Sequence, residues 1–170
     1  MKSHFATRLL EGGGKVCISD VNQEKGEDTL AGLRERFGQE KVCFVMCDVT
    51  KEEQFVNLFD KTEEFFKVSC VDLLANNAGV NLNFGWRKCM EINIISVMLG
   101  TDIALERMRK AGKSGQIINT ASMAGFAPGL SEKMVMISTE VGASLPPRAG
   151  QAEILNSSLV KFNQVTVCAR

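Results

Sequence analysis

The sequence contains no tyrosine and a single histidine, His4, so a phenol cannot serve as its catalytic base and an imidazole occurs only near its start. We assign His4 no role. A net charge of either sign is also missing, because 20 basic residues balance 20 acidic ones. That balance argues against a nucleic-acid binder, which normally carries a basic face. No apolar run approaches the length of a signal-peptide core or a membrane span, so no targeting or spanning segment is expected.

A metal-binding pattern of cysteines is absent as well. The six cysteines, at positions 17, 43, 47, 70, 89 and 168, show no CxxC spacing, so we expect no metal and interpret them as buried free thiols. Unpaired thiols predict a reducing, cytoplasmic setting. What the chain does have is length and apolar content: 170 residues, 45% of them hydrophobic, suffice for one domain with a core.

Short apolar runs alternate with amphipathic segments along the chain. The runs are typical of strands and lie at residues 15–20, 41–47, 71–75 and 116–120. Helices are predicted between them: one capped by Asn22, one opened by Thr50 and Glu53 as a capping box, and a long one over residues 87–109 that only Gly100 interrupts. This alternation predicts an α/β fold, a doubly wound parallel sheet with helices on both faces.

Polar residues stand where the predicted strands end. Asp20, Asp48, Asn77 and Ser122 occupy these positions, and ligands of such folds bind at the carboxyl ends of the strands. The first three also have purely structural interpretations. Asp20 can equally well be the N-cap of the next helix, and Asp48 can assist the cap of the helix after β-strand residues 41–47. Asn77 can belong to an ordinary turn formed by the NNAG stretch. Their recurrence in order at successive strand ends favours a ligand site.

Three longer segments carry a resemblance to a known family. VDLLANNAGVN (71–81), EINIISVMLGT (91–101) and QIINTASMAG (116–125) together resemble the short-chain dehydrogenase/reductase family. The order of NNAG, a helix with Asn93 and a strand ending in serine is highly specific. The similarity is greatest to NAD-dependent members that oxidise prostaglandins, and it covers about residues 4–130. The resemblance implies a partial Rossmann-like dinucleotide-binding domain over residues 1–129.

The resemblance implies a set of cofactor contacts. Asp20 resembles the acid that binds both hydroxyls of the adenosine ribose, and its charge favours NAD over NADP because it repels a 2′-phosphate. The other cofactor contacts implied are the adenine-flanking pair and the NNAG stretch, namely Asp48, Val49, Asn77, Ala78 and Gly79.

The resemblance also implies a reaction, the oxidation of a secondary alcohol to a ketone, with hydride passing to NAD and a prostaglandin-like substrate. Asn93 resembles the asparagine that holds a water in the proton relay, and Ser122 the serine that polarises the substrate hydroxyl. The family's base is a tyrosine with a lysine one helical turn later, where this sequence has Val135 and Thr139. A positioned general base contributes ~10²–10⁴-fold, so we expect this chain to be inactive as written.

The family's glycine-rich phosphate loop and the strand before it are expected to be missing, because residues 5–10 resemble the second half of the helix that follows them. Gly12-Gly13-Gly14 precedes a strand instead of following one and is interpreted as a turn. NAD binding is therefore expected to be weak. Since the missing strand is central in the family, two buried strand edges must either pair with each other or accept another segment, such as residues 159–167.

The sequence looks unlike the family from about residue 130 onward. Two prolines stand together at positions 146 and 147, and no apolar periodicity is sustained. We expect residues 130–170 to form a divergent, irregular tail with at most one short helix, over residues 151–161.

Two other interpretations of function stay open. One is a non-catalytic short isoform that dimerises with the full-length enzyme and inhibits it, through the apolar run at residues 92–99 in a helix of the kind by which family members form homodimers. The simpler and favoured interpretation of that run is that it packs on the sheet. The other is a dehydrogenase of the same family for a different alcohol, with Trp86 and Phe126 as candidates for a substrate pocket or for the core.

Overall fold

The structure, a computed structural model, describes residues 4–80, 82–121, 152–158 and 165–169. Its strands are β1 (Lys15–Asp20), β2 (Val42–Met46), β3 (Leu73–Asn76), β4 (Gly115–Ala121), β5 (Ala152–Ser158) and β6 (Val165–Ala169). Its helices are α1 (His4–Glu11), α2 (Gln23–Phe37), α3 (Glu52–Phe66), α4 (Trp86–Met90) and α5 (Ser96–Lys110). A 3₁₀ turn at Leu82–Phe84 precedes α4, and a π-helical segment at Glu91–Ile95 joins α4 to α5.

The described strands form one sheet in the order β2-β1-β6-β3-β4-β5. Neighbouring strands are parallel, except that β6 runs antiparallel to both β1 and β3. The four strands that the sequence predicts are confirmed, with small shifts at their ends. The expectation of an α/β fold with a parallel sheet is confirmed with them.

The gap beside β1 is filled by a segment of the tail. Val167 of β6 pairs with Cys17 of β1 on one side and with Leu74 of β3 on the other. The expectation that a tail segment fills the gap is therefore confirmed for residues 165–169, while residues 159–164 lie outside the described part. The alternative, direct pairing of β1 with β3, is wrong. Inner strand edges need partners for their N–H and C=O groups, and β6 supplies them to both strands at once.

The tail contributes a second strand where a helix was the prediction. The prediction of a helix over residues 151–161 is wrong, because residues 152–158 form β5, which pairs with β4 along its whole length. The open edge of β4 offers seven residues a ladder of hydrogen bonds, and such tertiary pairing overrides a weak local preference. The boundary proposed between residues 129 and 130 falls outside the described residues and stays a prediction.

The starts of α2 and α3 illustrate one correct and one wrong prediction from local sequence. Asn22 caps α2 as predicted, since its Oδ1 accepts a hydrogen bond of 2.9 Å from the N–H of Lys25. The prediction that Thr50 and Glu53 form a capping box is wrong, because α3 begins at Glu52 and its N-cap residue, Lys51, makes no side-chain capping hydrogen bond. Thr50 instead donates to the Asp48 carboxylate, 3.0 Å from its N–H and 2.7 Å from its hydroxyl. Asp48 therefore stabilises a turn before the helix.

The helix predicted over residues 87–109 is irregular at a different place from the one that was predicted. Gly100 does not interrupt it, because Gly100 is buried inside α5. The irregularity is the π-helical segment at Glu91–Ile95, which contains Asn93. An extra residue per turn rotates the side chains that follow, and single π turns occur often at functional sites.

Helices cover both faces of the sheet. Successive residues of β1 point to opposite faces, so Cys17 joins one core cluster while Val16 and Ile18 join the other. The first cluster packs α3 and α5 on the sheet and includes Phe55, Leu58, Phe59, Leu74, Met108 and Ile117. The second packs α1 and α2 and includes Ala6, Leu10, Leu30, Leu33 and Val42. Each large side chain buried in this way contributes roughly 1.5–3 kcal/mol, which holds the strand ends in a fixed arrangement.

Gly100 allows α5 to pack closely on the sheet. A Cβ atom there would lie 2.6 Å from the Phe55 ring and 2.7 Å from the Asn76 side-chain oxygen. We expect Gly100→Ala to lower the free energy of unfolding by about 1–3 kcal/mol in urea titrations, because overpacking outweighs the helix preference of alanine.

A matched control lies in α2. A Cβ atom at Gly32 meets no heavy atom within 4 Å, so Gly32→Ala is expected to raise the free energy of unfolding by up to about 1 kcal/mol. If Gly100→Ala behaves like Gly32→Ala, then α5 does not approach Phe55 and Asn76 as closely as described.

Candidate functional site

Asp20, the last residue of β1, lies half-buried at the carboxyl end of the sheet. Its Oδ1 accepts a hydrogen bond of 2.9 Å from the N–H of Asn22, which orients the carboxylate toward the start of α2. The structural interpretation of Asp20 as a helix N-cap is wrong, because Asn22 holds that position. Its carboxylate is therefore placed at the edge of the sheet by the turn, where a ligand can reach it.

Asp48 follows β2 at the same edge of the sheet. Its backbone N–H donates to Gln54 Oε1 at 2.8 Å, and its carboxylate accepts both bonds from Thr50. Partial burial acts to raise the pKa of Asp48, but the Thr50 bonds and the positive charge of Lys88 outweigh it and hold that pKa below its usual range. The carboxylate is consequently charged at neutral pH and acts only as a hydrogen-bond acceptor.

A pocket of about 230 Å³ opens between these two strand ends. Its apolar walls are formed by Val21, Val49, Ala78, Val80, Phe84 and Ile92. Its polar side chains are Ser19, Cys47, Asp48 and Lys88. An apolar slot with few polar groups suits a flat ring whose edge carries hydrogen-bonding atoms.

The NNAG stretch after β3 is held from both sides. The buried amide of Asn76 donates to Asn119 Oδ1 at 3.0 Å and to Thr101 Oγ1 at 3.3 Å. Asn77 Oδ1 accepts a bond of 2.9 Å from the hydroxyl of Thr120. These bonds connect the NNAG stretch to β4 and α5. A turn that only reverses the chain direction would not need such connections. Ala78, the next residue, reaches the pocket.

Asn93 fixes the loop that continues from NNAG. Its Oδ1 accepts from the N–H of Val80 and its Nδ2 donates to the carbonyl of Val80, both at 2.9 Å. The side chain is buried in the π-helical segment, so these two bonds satisfy its amide and two loop groups together. Asn93 thereby sets the position of Val80 in the pocket wall. Its implied part in a proton relay stays a prediction.

The cysteines at 17, 43, 47, 70 and 89 are buried, and the first four carry free thiols. Burial raises the pKa of Cys47 to about 12, while the nearby Ser19 hydroxyl acts in the opposite direction. The Cys47 thiol is therefore protonated at neutral pH. Within the described ranges, no group of three His, Cys, Asp or Glu side chains is arranged to hold a metal ion.

The remaining predicted residues separate into three groups. Gly12-Gly13-Gly14 ends α1 before β1, with the Gly12 N–H bonded to the Arg8 carbonyl, so its interpretation as a turn is confirmed. Trp86 is 53% exposed at the start of α4, with the Arg87 guanidinium 4.5 Å from its ring, and therefore does not belong to the core. Ser122, Phe126, Val135 and Thr139 lie outside the described residues.

Sequence reasoning missed several residues that the fold brings to the site. Val21, Val80 and Ile92 line the pocket, and Thr120 holds Asn77. Ser19 offered one signal in advance, since it is a polar residue next to Asp20 within an otherwise apolar strand. The others are ordinary residues whose positions depend on how separate segments pack.

Comparison with known proteins assigns the class. The sequence profile of the family described as "short chain dehydrogenase" matches residues 3–134. A short chain dehydrogenase of known structure from Mycobacterium smegmatis superposes with a TM-score of 0.74 at 29% identity, covering 81% of this chain and 59% of that one. ElxO with NADP bound superposes with a TM-score of 0.69 at 28% identity, covering 81% of this chain and 56% of ElxO. This chain belongs to the short-chain dehydrogenase family.

Within that family the chain is similar to 15-hydroxyprostaglandin dehydrogenase [NAD(+)] of Homo sapiens and of Macaca fascicularis. It is 36% identical to each over 163 residues, which are 95% of this chain and 60% of each relative. It is also 37% identical over 133 residues to cyclopentanol dehydrogenase of Comamonas testosteroni, covering 72% of this chain and 51% of that protein. The family profile ends at residue 134, close to the limit of about residue 130 that was expected for the resemblance, whereas the alignment with the prostaglandin relatives covers 95% of the chain.

The helices of the described residues are too short or too polar to cross a bilayer.

Proposed function

We propose that this chain binds the adenosine half of NAD in the pocket between Asp20 and Asp48. The observation that carries the proposal is an apolar slot lined by the Asp48 carboxylate and by Ser19 and Val21, the two sequence neighbours of the half-buried Asp20. Asp20 would accept hydrogen bonds from the ribose hydroxyls, and Val49 with the opposite apolar wall would enclose the adenine ring. The relatives named as NAD(+) enzymes support this cofactor.

The choice of NAD over NADP is part of the proposal. The fold does not decide it, because ElxO binds NADP and an alcohol dehydrogenase of Lentilactobacillus kefiri, 32% identical over 130 residues, is named NADP-dependent. Asp20 supports NAD, since a carboxylate at the ribose would repel a 2′-phosphate. Asn77, Ala78 and Gly79 would continue the contact along the loop after β3.

The phosphate end of the cofactor has less support from this chain. Between β1 and β3 the sheet holds the antiparallel β6, and among the described residues no glycine-rich turn follows a strand at that place. A glycine-rich turn at a helix N-terminus provides the N–H groups that usually hold a pyrophosphate. We therefore propose weak binding, dominated by the adenosine half.

The reaction that we propose for the family site is the oxidation of a secondary alcohol to a ketone, with NAD as the hydride acceptor. Similarity to the 15-hydroxyprostaglandin dehydrogenases favours a prostaglandin-like alcohol. Ser122 is proposed to polarise the substrate hydroxyl and Asn93 to support the proton relay. Because the sequence has no tyrosine to act as the base, we propose that this chain is inactive as written.

The first experiment compares NAD and NADP binding by isothermal titration calorimetry. We expect the chain to bind NAD at least about 10-fold more tightly than NADP, and Asp20→Asn to reduce that ratio, because the substitution removes the charge that repels the 2′-phosphate. Asp28→Asn, at an exposed position of α2, is the matched control and should leave the ratio unchanged. No NADH should form with a prostaglandin substrate.

Two results would contradict these proposals separately. If the chain binds neither dinucleotide, the nucleotide site is wrong. If it produces NADH in a substrate-dependent manner at a rate typical of a dehydrogenase, the proposed inactivity is wrong while the site stands.

A second candidate function is a non-catalytic partner that dimerises with a full-length enzyme and inhibits it. The observation that favours it is the exposure of Ile95 and Met98, at 56% and 62%, one turn apart on the same helical stretch. Ile92 and Val97 of the same run pack inward, so the run serves both the core and the surface. Size-exclusion chromatography coupled to light scattering would show a homodimer, and co-purification would show the mixed pair. A double substitution of Ile95 and Met98 by glutamate should abolish either complex.

A reducing, cytoplasmic location is also proposed. It is supported by the buried free thiols of Cys17, Cys43, Cys47 and Cys70.

A further inference from the structure

Ser19 differs from the other buried hydroxyl residues in what its oxygen contacts. Its side chain lines the pocket and is 1% exposed, yet its Oγ has no hydrogen-bond partner of ordinary geometry among the described residues. The hydroxyls of Thr62 and Ser96, in contrast, each donate to a helix carbonyl at 2.6 Å. Buried polar groups are almost always paired, so an unpaired hydroxyl that faces a pocket points to a missing partner.

The neighbouring Cys47 thiol does not supply that partner. The Cys47 thiol lies near enough for the Ser19 hydroxyl to act on its pKa, but burial dominates and keeps the thiol protonated. A thiol is a weak donor and a weak acceptor, and the two groups do not meet in hydrogen-bond geometry. The backbone N–H and C=O groups of Ser19 take part in strand pairing with β2 and β6, so they do not bond the hydroxyl either.

We propose that Ser19 is a specificity-determining residue of this pocket and that its hydroxyl donates a hydrogen bond to a ring nitrogen of a bound adenine. This inference rests on the proposed nucleotide function. Among its apolar walls the pocket presents a charged acceptor, Asp48, a charged donor, Lys88, the Cys47 thiol, and the hydroxyl of Ser19, which has no partner among the described residues. Adenine carries the complementary pair on its edge, an amino group that donates and ring nitrogens that accept. Ser19 thereby adds recognition of the base to recognition of the ribose by Asp20.

The test measures binding of adenosine 5′-monophosphate by calorimetry to the full 170-residue chain and to Ser19→Ala. We expect the substitution to weaken binding by about 3- to 10-fold, the effect of one net hydrogen bond. Analogues that lack one ring nitrogen (1-deaza, 3-deaza and 7-deaza adenosine monophosphate) then identify the accepting atom. One of them should bind the unsubstituted chain more weakly than the parent nucleotide, and should lose nothing further in Ser19→Ala.

Two controls separate recognition from structure. Ser96→Ala removes a buried hydroxyl that already bonds the Ile92 carbonyl and does not line this pocket, so nucleotide affinity should not change. The thermal midpoint of Ser19→Ala without ligand should equal or exceed that of the unsubstituted chain, because a methyl hydrogen replaces an unpaired buried hydroxyl. A purely structural role for Ser19 predicts a lower midpoint instead.

The outcomes distinguish this inference from the function on which it rests. If the unsubstituted chain binds neither adenosine monophosphate nor NAD, the proposed function is wrong and the inference is overturned with it. Suppose instead that the unsubstituted chain binds both nucleotides. The inference alone is then overturned if Ser19→Ala binds adenosine monophosphate equally well, or if each deaza analogue loses as much affinity in Ser19→Ala as in the unsubstituted chain. A weaker nucleotide affinity with an unchanged midpoint, and with one deaza penalty abolished, supports it.

Discussion

A variant that ends at Ser158 and therefore lacks β6 is expected to lose its cooperative unfolding transition. β6 pairs five residues with β1 and three with β3, so its removal exposes two inner edges of the sheet. Each buried backbone group left without a partner costs ~1–3 kcal/mol, and a typical domain has only ~5–15 kcal/mol of stability. Urea titration followed by far-ultraviolet circular dichroism should give a broad, non-cooperative profile in place of a sigmoidal one.

A single substitution tests the same strand without shortening the chain. Val167 stands at the centre of β6, opposite both Cys17 and Leu74, and Val167→Pro removes its N–H from the ladder. We expect a loss of ~3 kcal/mol or more in the free energy of unfolding. Val167→Thr keeps the N–H and the β-branched shape and should cost clearly less. Equal stability of the proline variant and the unsubstituted chain would show that β6 does not occupy the place between β1 and β3.

The substitution Asn93→Asp is expected to lower the free energy of unfolding by ~3 kcal/mol at neutral pH. Asn93 accepts from the Val80 N–H and donates to the Val80 carbonyl. A carboxylate keeps the first bond but repels the carbonyl, and the substitution places a charge at a buried position. Urea titrations at several pH values measure the loss. Asn57→Asp, at an exposed position of α3, is the matched control and should stay within about 0.5 kcal/mol.

The loss of unfolding free energy caused by Asn93→Asp should increase as the pH rises. Burial raises the folded-state pKa of the introduced carboxyl above its unfolded value of about 3.9. Between these two values the folded state binds more protons, so stability falls as the pH rises and becomes constant above the folded-state pKa. The deficit should therefore be smallest at acid pH, where the protonated carboxyl can donate to the Val80 carbonyl. A deficit that does not change with pH would mean that the position is hydrated.

Local sequence was sufficient for the elements that position the site. The strands that end at Asp20 or shortly before Asp48 and Asn77 follow from apolar runs that stop at polar residues, and the start of α2 follows from Asn22. These features depend on neighbours only a few residues away, such as the bond from Lys25 to Asn22. The resemblance added the family, because NNAG and the Asn93 helix occur together in the order that the family requires.

Features that depend on distant segments did not follow from local sequence. One of the two interpretations of Asp48 was an aid to the cap of α3; its bonds to Thr50 and from its own N–H to Gln54 form a turn instead, although both partners are close in sequence. Residues 152–158 were expected to be helical, but the open edge of β4 makes them a strand. For residues 152–158 the hydrogen-bonding partner is β4, which lies far away in sequence, and only the folded chain brings that partner close.

The sequence by itself determined the class of fold, the strand ends at which ligands can bind, and the lack of a tyrosine base. The tertiary structure alone decided that β6 runs antiparallel between β1 and β3, that the Asn93 amide pairs with Val80, and that the Ser19 hydroxyl faces a pocket without a partner. The physical reason is the range of the interactions. Periodicity and caps are set within one or two turns of chain, whereas strand order and buried polar pairs depend on the packing of segments far apart in sequence.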